Sequence, residues 1–273
     1  MKVTILGSGS SGNSILVETV ATRLLVDAGF SGRDLERRLA SVGHDASAVD
    51  ALFVTHEHSD HTRGAGIFAR RWGTPLYLGD RTRVACSKLL NGTEPVRSYS
   101  CIQPILIGDL RVEPFLTIHD AVDPFAVTVT EIGTGEKLGI ATDLGRPNAA
   151  VRHALRDCDL LVLESNHDEI LLRESIYPWS VKQRIGGSHG HLSNRAAAEL
   201  VADIFHAGLA CVVLAHLSEQ ANDPGLAADV VGLRLEELGY RGNLQVGRQH
   251  EPLEPIDVAN LRRRLAPEQL PLL

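Results

Sequence analysis

An α/β fold is predicted for this chain, and three observations carry the prediction. Short apolar runs rich in Val, Ile and Leu alternate with segments whose apolar residues recur at helical spacing. Five of the runs deliver ligand-type residues at their C-terminal ends: His56 with His58, His119, Asp143, Glu164 and His216. Polar groups at strand ends converge on one rim of a sheet, which is where α/β proteins commonly build a site. The third observation is one dense stretch, Thr55-His56-Glu57-His58-Ser59-Asp60-His61, spaced H-x-H-x-D-H where a strand meets a helix.

Taken in order, residues 3–6, 14–18 and 23–27 are expected as strands. Between the first two lies Gly7-Ser8-Gly9-Ser10-Ser11-Gly12-Asn13, a loop of small residues and backbone donors suited to an anion. It lacks the Gly-Lys-Ser/Thr end of a P-loop and the Rossmann spacing. Ser31-x-x-Asp34 resembles a capping box and opens a helix to about Val42, closed by Gly43, with Leu35, Leu39 and Val42 as its apolar face. A buried strand over 51–55 leads into the His/Asp stretch. A helix to about Arg71 follows, closed by Gly73, then a strand at 75–78 and a helix at 81–90.

From 103 to 142 the pattern is β, with strands at 103–107, 110–118, 125–132 and 137–142 and a hairpin connection over 133–136. A helix at 147–156 precedes a buried strand at 159–164, which runs into Ser165-Asn166-His167-Asp168. After a polar, irregular stretch, Ser193 or Asn194 caps a helix to about His206. A buried strand at 210–215 ends on His216, and a helix at 225–238, a strand at 243–246 and a helical tail at 256–265 complete the order.

At 273 residues the chain can bury one large core or two small ones. A hydrophobic content of 44% with mixed charge fits an ordinary globule rather than disorder. No apolar run approaches the length of a membrane span, and the start lacks a basic-then-apolar pattern, so the expectation is a cytoplasmic protein with no membrane partner. The four cysteines show no C-x-x-C pair, which argues against a zinc ribbon or a disulfide framework, and Cys211 is expected in the core. A net charge of −7 argues against a general basic nucleic-acid binder. That charge includes carboxylates that would face metal, and bound divalent ions would make the site attractive to phosphate.

Imidazoles at alternate positions of an extended segment project to one side. His56 and His58 can therefore hold one ion, while the turn carries Asp60 and His61 toward a second. Imidazole and carboxylate donors suit zinc and manganese alike.

These residues resemble the metallo-β-lactamase superfamily. Its H-x-H-x-D-H motif matches His56, His58, Asp60 and His61; its later single-ligand motifs match His119, Asp143 and His216; its early structural Asp matches Asp27. The resemblance runs from about residue 1 to 250 and implies a four-layer αββα sandwich, a single domain of two similar halves followed by the tail at about 256–265. It also implies two divalent ions, zinc or manganese: one held by His56, His58 and His119, the second by Asp60, His61 and His216, with Asp143 bridging.

Gly7 to Ser14, Leu163 to Asp168, Gly190 to Asn194 and Ala215 to Ser218 look most like the YycJ/WalJ-type hydrolases, a family associated with exonuclease activity on DNA. Part of the pattern is also similar to tRNase Z, whose proton-relay Glu and His fall on Glu164 and His191. The resemblance thus implies a phosphodiester hydrolase, a DNA exonuclease with nucleic acid as its substrate, in which a metal-bridging hydroxide attacks phosphorus. Asp60 would orient the hydroxide as well as bind metal, and His191, oriented by Glu164, would protonate the leaving oxygen. Ser10, Ser11 and Asn13, with Asn166 and His167, are the expected substrate contacts.

Asp27 is expected as a brace, Glu57 and Ser59 receive no role, and His44, His153, His189, His206 and His250 are assigned to surface or helix faces. Arg63, Arg70, Arg71 and Arg184 are candidates for tracking a phosphate backbone. The rival readings are a small-ester, thioester or lactam hydrolase on the same metals, an RNA-processing nuclease, and a binding module with a degraded site. A Glu164–His191 relay suits a leaving alkoxide better than a thiolate.

Overall fold

The computed structural model describes residues 1–265. The first half of the chain supplies β1 (Lys2–Gly7), β2 (Ser14–Glu18), β3 (Arg23–Val26), β4 (Ala51–Phe53), β5 (Leu76–Gly79) and β6 (Val96–Tyr99). The second supplies β7 (Ile105–Ile107), β8 (Leu110–Leu116), β9 (Phe125–Glu131), β10 (Lys137–Ala141), β11 (Leu160–Glu164), β12 (Cys211–Ala215) and β13 (Asn243–Val246), and β14 (Ile256–Asp257) returns to the first sheet. The strand orders are β14-β1-β2-β3-β4-β5-β6 and β7-β8-β9-β10-β11-β12-β13. In both sheets, taken in that direction, three antiparallel pairings give way to three parallel ones.

Strand periodicity explains the layers. Successive side chains point to opposite faces, so Val26 and Phe53 meet Val127, Val162 and Val213 between the sheets. Leu25 and Leu52 pack outward on Leu35, Leu39 and Phe68 of the helices. On the other side Leu161, Leu163 and Val212 pack outward on Leu155, Leu200 and Val231. Central strands covered on both faces are apolar throughout, which is why the sequence shows runs rather than alternation there. The result is the four-layer αββα arrangement expected.

The departures have local causes. The single helix expected after His61 is two, Ser59–Thr62 and Ala65–Trp72. They break at Gly64, where a Cβ would lie 2.3 Å from the Phe30 carbonyl oxygen. The helix expected at 81–90 is only Asp80–Ala85. β6 was not expected, because its Arg97 and Ser98 are exposed and give no apolar pattern. The polar stretch after Asp168 holds the helices Glu169–Glu174 and Trp179–Ile185, which among them bury only Leu172 and so lack an apolar stripe. The tail begins as β14 paired to β1 before its helix, Val258–Leu265. Among the described residues no helix is long and apolar enough to cross a membrane.

Two tight Asp-x-Gly turns position the rim. Asp27-Ala28-Gly29 follows β3 and Asp143-Leu144-Gly145 follows β10, the same place in each sheet. Both aspartates have positive φ, 61° and 58°, a region Asp tolerates better than most residues. Each glycine lets two backbones touch: a Cβ on Gly29 would sit 1.7 Å from the Asp60 carbonyl oxygen, and one on Gly145 would sit 2.4 Å from that of Ser188.

Gly29→Ala is therefore expected to cost about 1–3 kcal/mol in urea melts, because no rotamer change relieves a clash with backbone. Gly133→Ala, with nothing nearby, should stay within about 0.5 kcal/mol of wild type. Equal midpoints for the two variants would refute this account of the turn.

Candidate metal centre

The C-terminal ends of β3, β4, β8, β10, β11 and β12 bring Asp27, the His56–His61 segment, His119, Asp143, Glu164 and His216 to one rim. Asp27 is the brace of the first half. Its carboxylate accepts the Thr55 amide at 2.8 Å, the Thr55 hydroxyl at 2.9 Å and His61 Nδ1 at 2.7 Å. With the proton held on Nδ1, the lone pair of His61 Nε2 faces inward.

The same logic fixes two other rings. His119 Nδ1 donates to the Gly190 carbonyl at 3.0 Å, and His216 Nδ1 donates to Glu164 Oε1 at 3.0 Å. Their Nε2 atoms also face inward. His61 Nε2 lies 3.0 Å from Asp143 Oδ2, His119 Nε2 lies 3.5 Å from Asp143 Oδ1, and His216 Nε2 lies 3.2 Å from Asp60 Oδ2. Lone pairs thus confront carboxylate oxygens, an arrangement that only a proton or a cation between them makes favourable.

Two sets of side chains that could each hold a metal ion meet at Asp143: His56, His58, His119 and Asp143 itself on one side, and Asp60, His61 and His216 on the other. A third, Asp143, Glu164, His191 and His216, overlaps both. In each set the ligand atoms lie within 4.8 Å of one another. Asp143 faces the first two, with one oxygen toward His119 and the other toward His61. His56 Nε2 and Asp143 Oδ2 are buried and have no hydrogen-bond partner among the described residues. Buried polar atoms without partners are costly, and divalent ions, one in each of the first two sets, would satisfy His56 Nε2 and Asp143 Oδ2 respectively.

The electrostatics agree. Burial pulls the His216 imidazole down, but Asp143, Asp60 and Glu164 outweigh it and the ring is pushed up to about 10. Burial raises the Asp60 carboxyl, yet His61 and His216 hold it well below the usual carboxylate range. The cage favours positive charge at its centre.

Glu164 also lies within reach of Asp143, His191 and His216, but its oxygens are already occupied. It accepts His191 Nδ1 at 2.8 Å, His216 Nδ1 at 3.0 Å, and the amides of Leu144 at 2.9 Å, Leu192 at 3.0 Å and Asp143 at 3.3 Å. Burial pushes this carboxyl up; His191 and His216 more than offset that and hold it at about 2. For His191, burial lowers the imidazole and Glu164 outweighs it, so the ring ends above its ordinary value. Its centroid stands 5.1 Å from those of both His119 and His216, and its Nε2 makes no hydrogen bond among the described residues.

The expected substrate contacts divide. Ser10 and Ser11 are exposed, although the Ser11 amide donates to Gln249 Oε1 at 2.7 Å. Asn13 is buried: its Oδ1 accepts the Ser8 hydroxyl and the Gly9 amide, and its Nδ2 lies 3.2 Å from His61 Nε2. Asn166 is buried too, its amide donating to the His216 carbonyl at 2.7 Å. His167 is 3% exposed, with its Nδ1 unpartnered among the described residues. These last three are buried, unlike Ser10 and Ser11. Of the arginines, Arg70 and Arg71 pair with Glu94 and Glu36, Arg63 donates to the Ser11 carbonyl, and Arg184 pairs with Asp120 beside His119.

Sequence reasoning missed two supports. Glu57 accepts the Val122 amide at 2.9 Å and so ties the loop after β4 to the loop carrying His119. Gln249 clamps the Gly/Ser loop from both sides, accepting the Ser11 amide and donating to the Gly12 carbonyl at 2.9 Å. No local signal points to either, since the partners are 65 residues away in one case and 238 in the other.

Comparison with known proteins follows the same lines. A family model described as a beta-lactamase superfamily domain matches residues 22–217. Exodeoxyribonuclease YycJ of Bacillus anthracis is 36% identical over 238 residues, 86% of this chain and 89% of its own length. Exodeoxyribonuclease WalJ of Streptococcus pneumoniae is 36% identical over 230 residues, 83% of this chain and 85% of its own. Among solved structures, the metallo-beta-lactamase fold protein YhfI from Bacillus subtilis has a TM-score of 0.71 at 20% identity, covering 92% of this chain and 98% of that one. The last likeness concerns the fold alone, whereas the first three place the chain by sequence: it belongs to the beta-lactamase superfamily, in one family with YycJ and WalJ.

Proposed function

We propose that this protein is a metal-dependent phosphodiester hydrolase that degrades DNA from an end, acting in the cytoplasm. One observation carries the reading. His191, oriented by the buried Glu164, stands beside two sets of side chains that could each hold a metal ion, in a chain akin to proteins named exodeoxyribonucleases. We assign His56, His58 and His119 to one ion and Asp60, His61 and His216 to the other, with Asp143 between them. Zinc and manganese both suit this donor set. When bound, divalent ions supply Lewis acidity to the phosphoryl group and a nucleophile drawn from water at neutral pH.

The chain's own groups do the rest. Asp60, half-buried beside His216, orients the attacking water. The imidazolium form of His191 gives its Nε2 proton to the leaving oxygen of the sugar as the P–O bond breaks, and Glu164, accepting Nδ1–H, orients the ring and favours the protonated form. An alkoxide needs that proton; a thiolate does not, which favours a phosphodiester over the thioester rival.

Three outcomes are expected. Protein stripped of metal and reloaded with manganese or zinc should release mononucleotides from end-labelled DNA and leave RNA of the same sequence largely intact. Absence of DNA cleavage with every metal, or hydrolysis of a thioester alone, would sink the proposal. His191→Gln should lower kcat by about 10²–10⁴-fold with metal content retained. Because the protonated ring is the acid, wild-type kcat should fall as pH rises through the raised His191 pKa, and that alkaline limb should vanish in the variant. Finally, a His216 held at about 10 must lose a proton to bind metal, so affinity should rise with pH across the neutral range. Calorimetry in buffers of different ionisation enthalpy should register net proton release; no release would contradict the assignment of His216.

A further inference from the structure

A cavity of about 710 Å³ opens beside His216. It shares a wall with the metal centre through Ser8, whose hydroxyl accepts the His216 amide at 2.8 Å and whose amide donates to the Arg248 carbonyl at 2.9 Å. Leu217 and Val246 give it apolar sides, and the Glu219–His250 pair, 2.8 Å apart and more than half exposed, stands on its rim. The walls are preformed rather than loose. Gln249 pins the Gly/Ser loop, and Asn222 Nδ2 donates to the Ser165 carbonyl at 2.8 Å.

The size lies within the range of about 300–1,000 Å³ typical of small-molecule sites, and apolar sides with a few convergent polar groups are what such sites show. Ser8 joins this cavity to the second ligand set, through the His216 amide and, by way of Asn13, through His61. Leu217, Pro224 and Val246 line it beside Ser218, Glu219, Asp223 and His250, so what fits there is a body with apolar faces and hydrogen-bonding edges. With His250 Nε2 donating to Glu219 Oε1, the other Glu219 oxygen and His250 Nδ1 can each accept from an exocyclic amine. We propose that the cavity seats the nucleoside next to the scissile phosphate, base and sugar together, with Glu219 and His250 at the base edge. The proposal rests on the phosphodiesterase reading above, since that reading puts the phosphate at His216.

Calorimetric titration of the manganese-loaded protein tests it without relying on turnover. Deoxyadenosine monophosphate should bind about ten-fold or more tightly than inorganic phosphate, which reaches the ions but not the cavity. Glu219→Trp, which puts bulk on an exposed rim position, should reduce that preference to about two-fold or less. His250→Trp should do the same, and thermal melts report whether either variant is folded. On oligonucleotides both should raise KM more than they change kcat. Equal affinities for the two ligands in the wild type, or a preference untouched by both folded variants, would overturn the proposal. Tight nucleotide binding without any DNA cleavage would leave the cavity assigned and sink the nuclease reading instead.

Discussion

The rim depends on one buried carboxylate. Glu164 has no solvent exposure and takes hydrogen bonds from two imidazoles and three backbone amides. A charge buried this way costs several kcal/mol unless every lone pair is matched, and here the matching partners are the functional elements themselves. The amides of Asp143 and Leu144 fix the turn after β10, and the Leu192 amide fixes the segment carrying His191. His216 and His191 take their tautomers from the same oxygen. The stability of the rim and the arrangement of the candidate site are therefore coupled through a single group.

Asp27 plays the corresponding part in the first half, joining the Thr55 amide and hydroxyl to His61. The parallel extends to the backbone. Asp27 and Asp143 both occupy the left-handed region after topologically equivalent strands, and His216 does so after β12 with a φ of 56°. Non-glycine residues in this region persist where surrounding structure over-determines them. For His216 the determinants are the Ser8 hydroxyl on its amide and the Asn166 amide on its carbonyl. The left-handed backbone sets the direction of each of these side chains, and hydrogen bonds from distant segments hold it there.

The loops between these strand ends divide the labour. On the side of His119, Asp120 and Arg184 place an ion pair at the rim, and Glu57 anchors the loop through Val122. On the side of His216, the Gly/Ser loop is locked by Asn13 and Gln249 and forms a wall of the adjoining cavity. The Gly/Ser motif thus shapes the space beside the centre rather than simply presenting free amides, since the Ser11 donor is already used.

How much of this was legible in the sequence depended on the range of the physics involved. Apolar runs, the Ser31 cap and the glycine after Trp72 are local signals, and the elements they predict are present within a few residues. The H-x-H-x-D-H spacing is local as well, so His56, His58, Asp60 and His61 could be singled out as candidate metal ligands without any fold. The exposed helices between Glu169 and Ile185 and the edge strand β6 left no such trace, because little of their surface is buried. Only the tertiary structure decided which imidazole nitrogen faces inward, that Asn13 and Asn166 support ligands instead of facing outward, and that Gln249 closes the Gly/Ser loop. Those facts arise from hydrogen bonds between residues far apart in the chain, which geometry sets and composition does not encode.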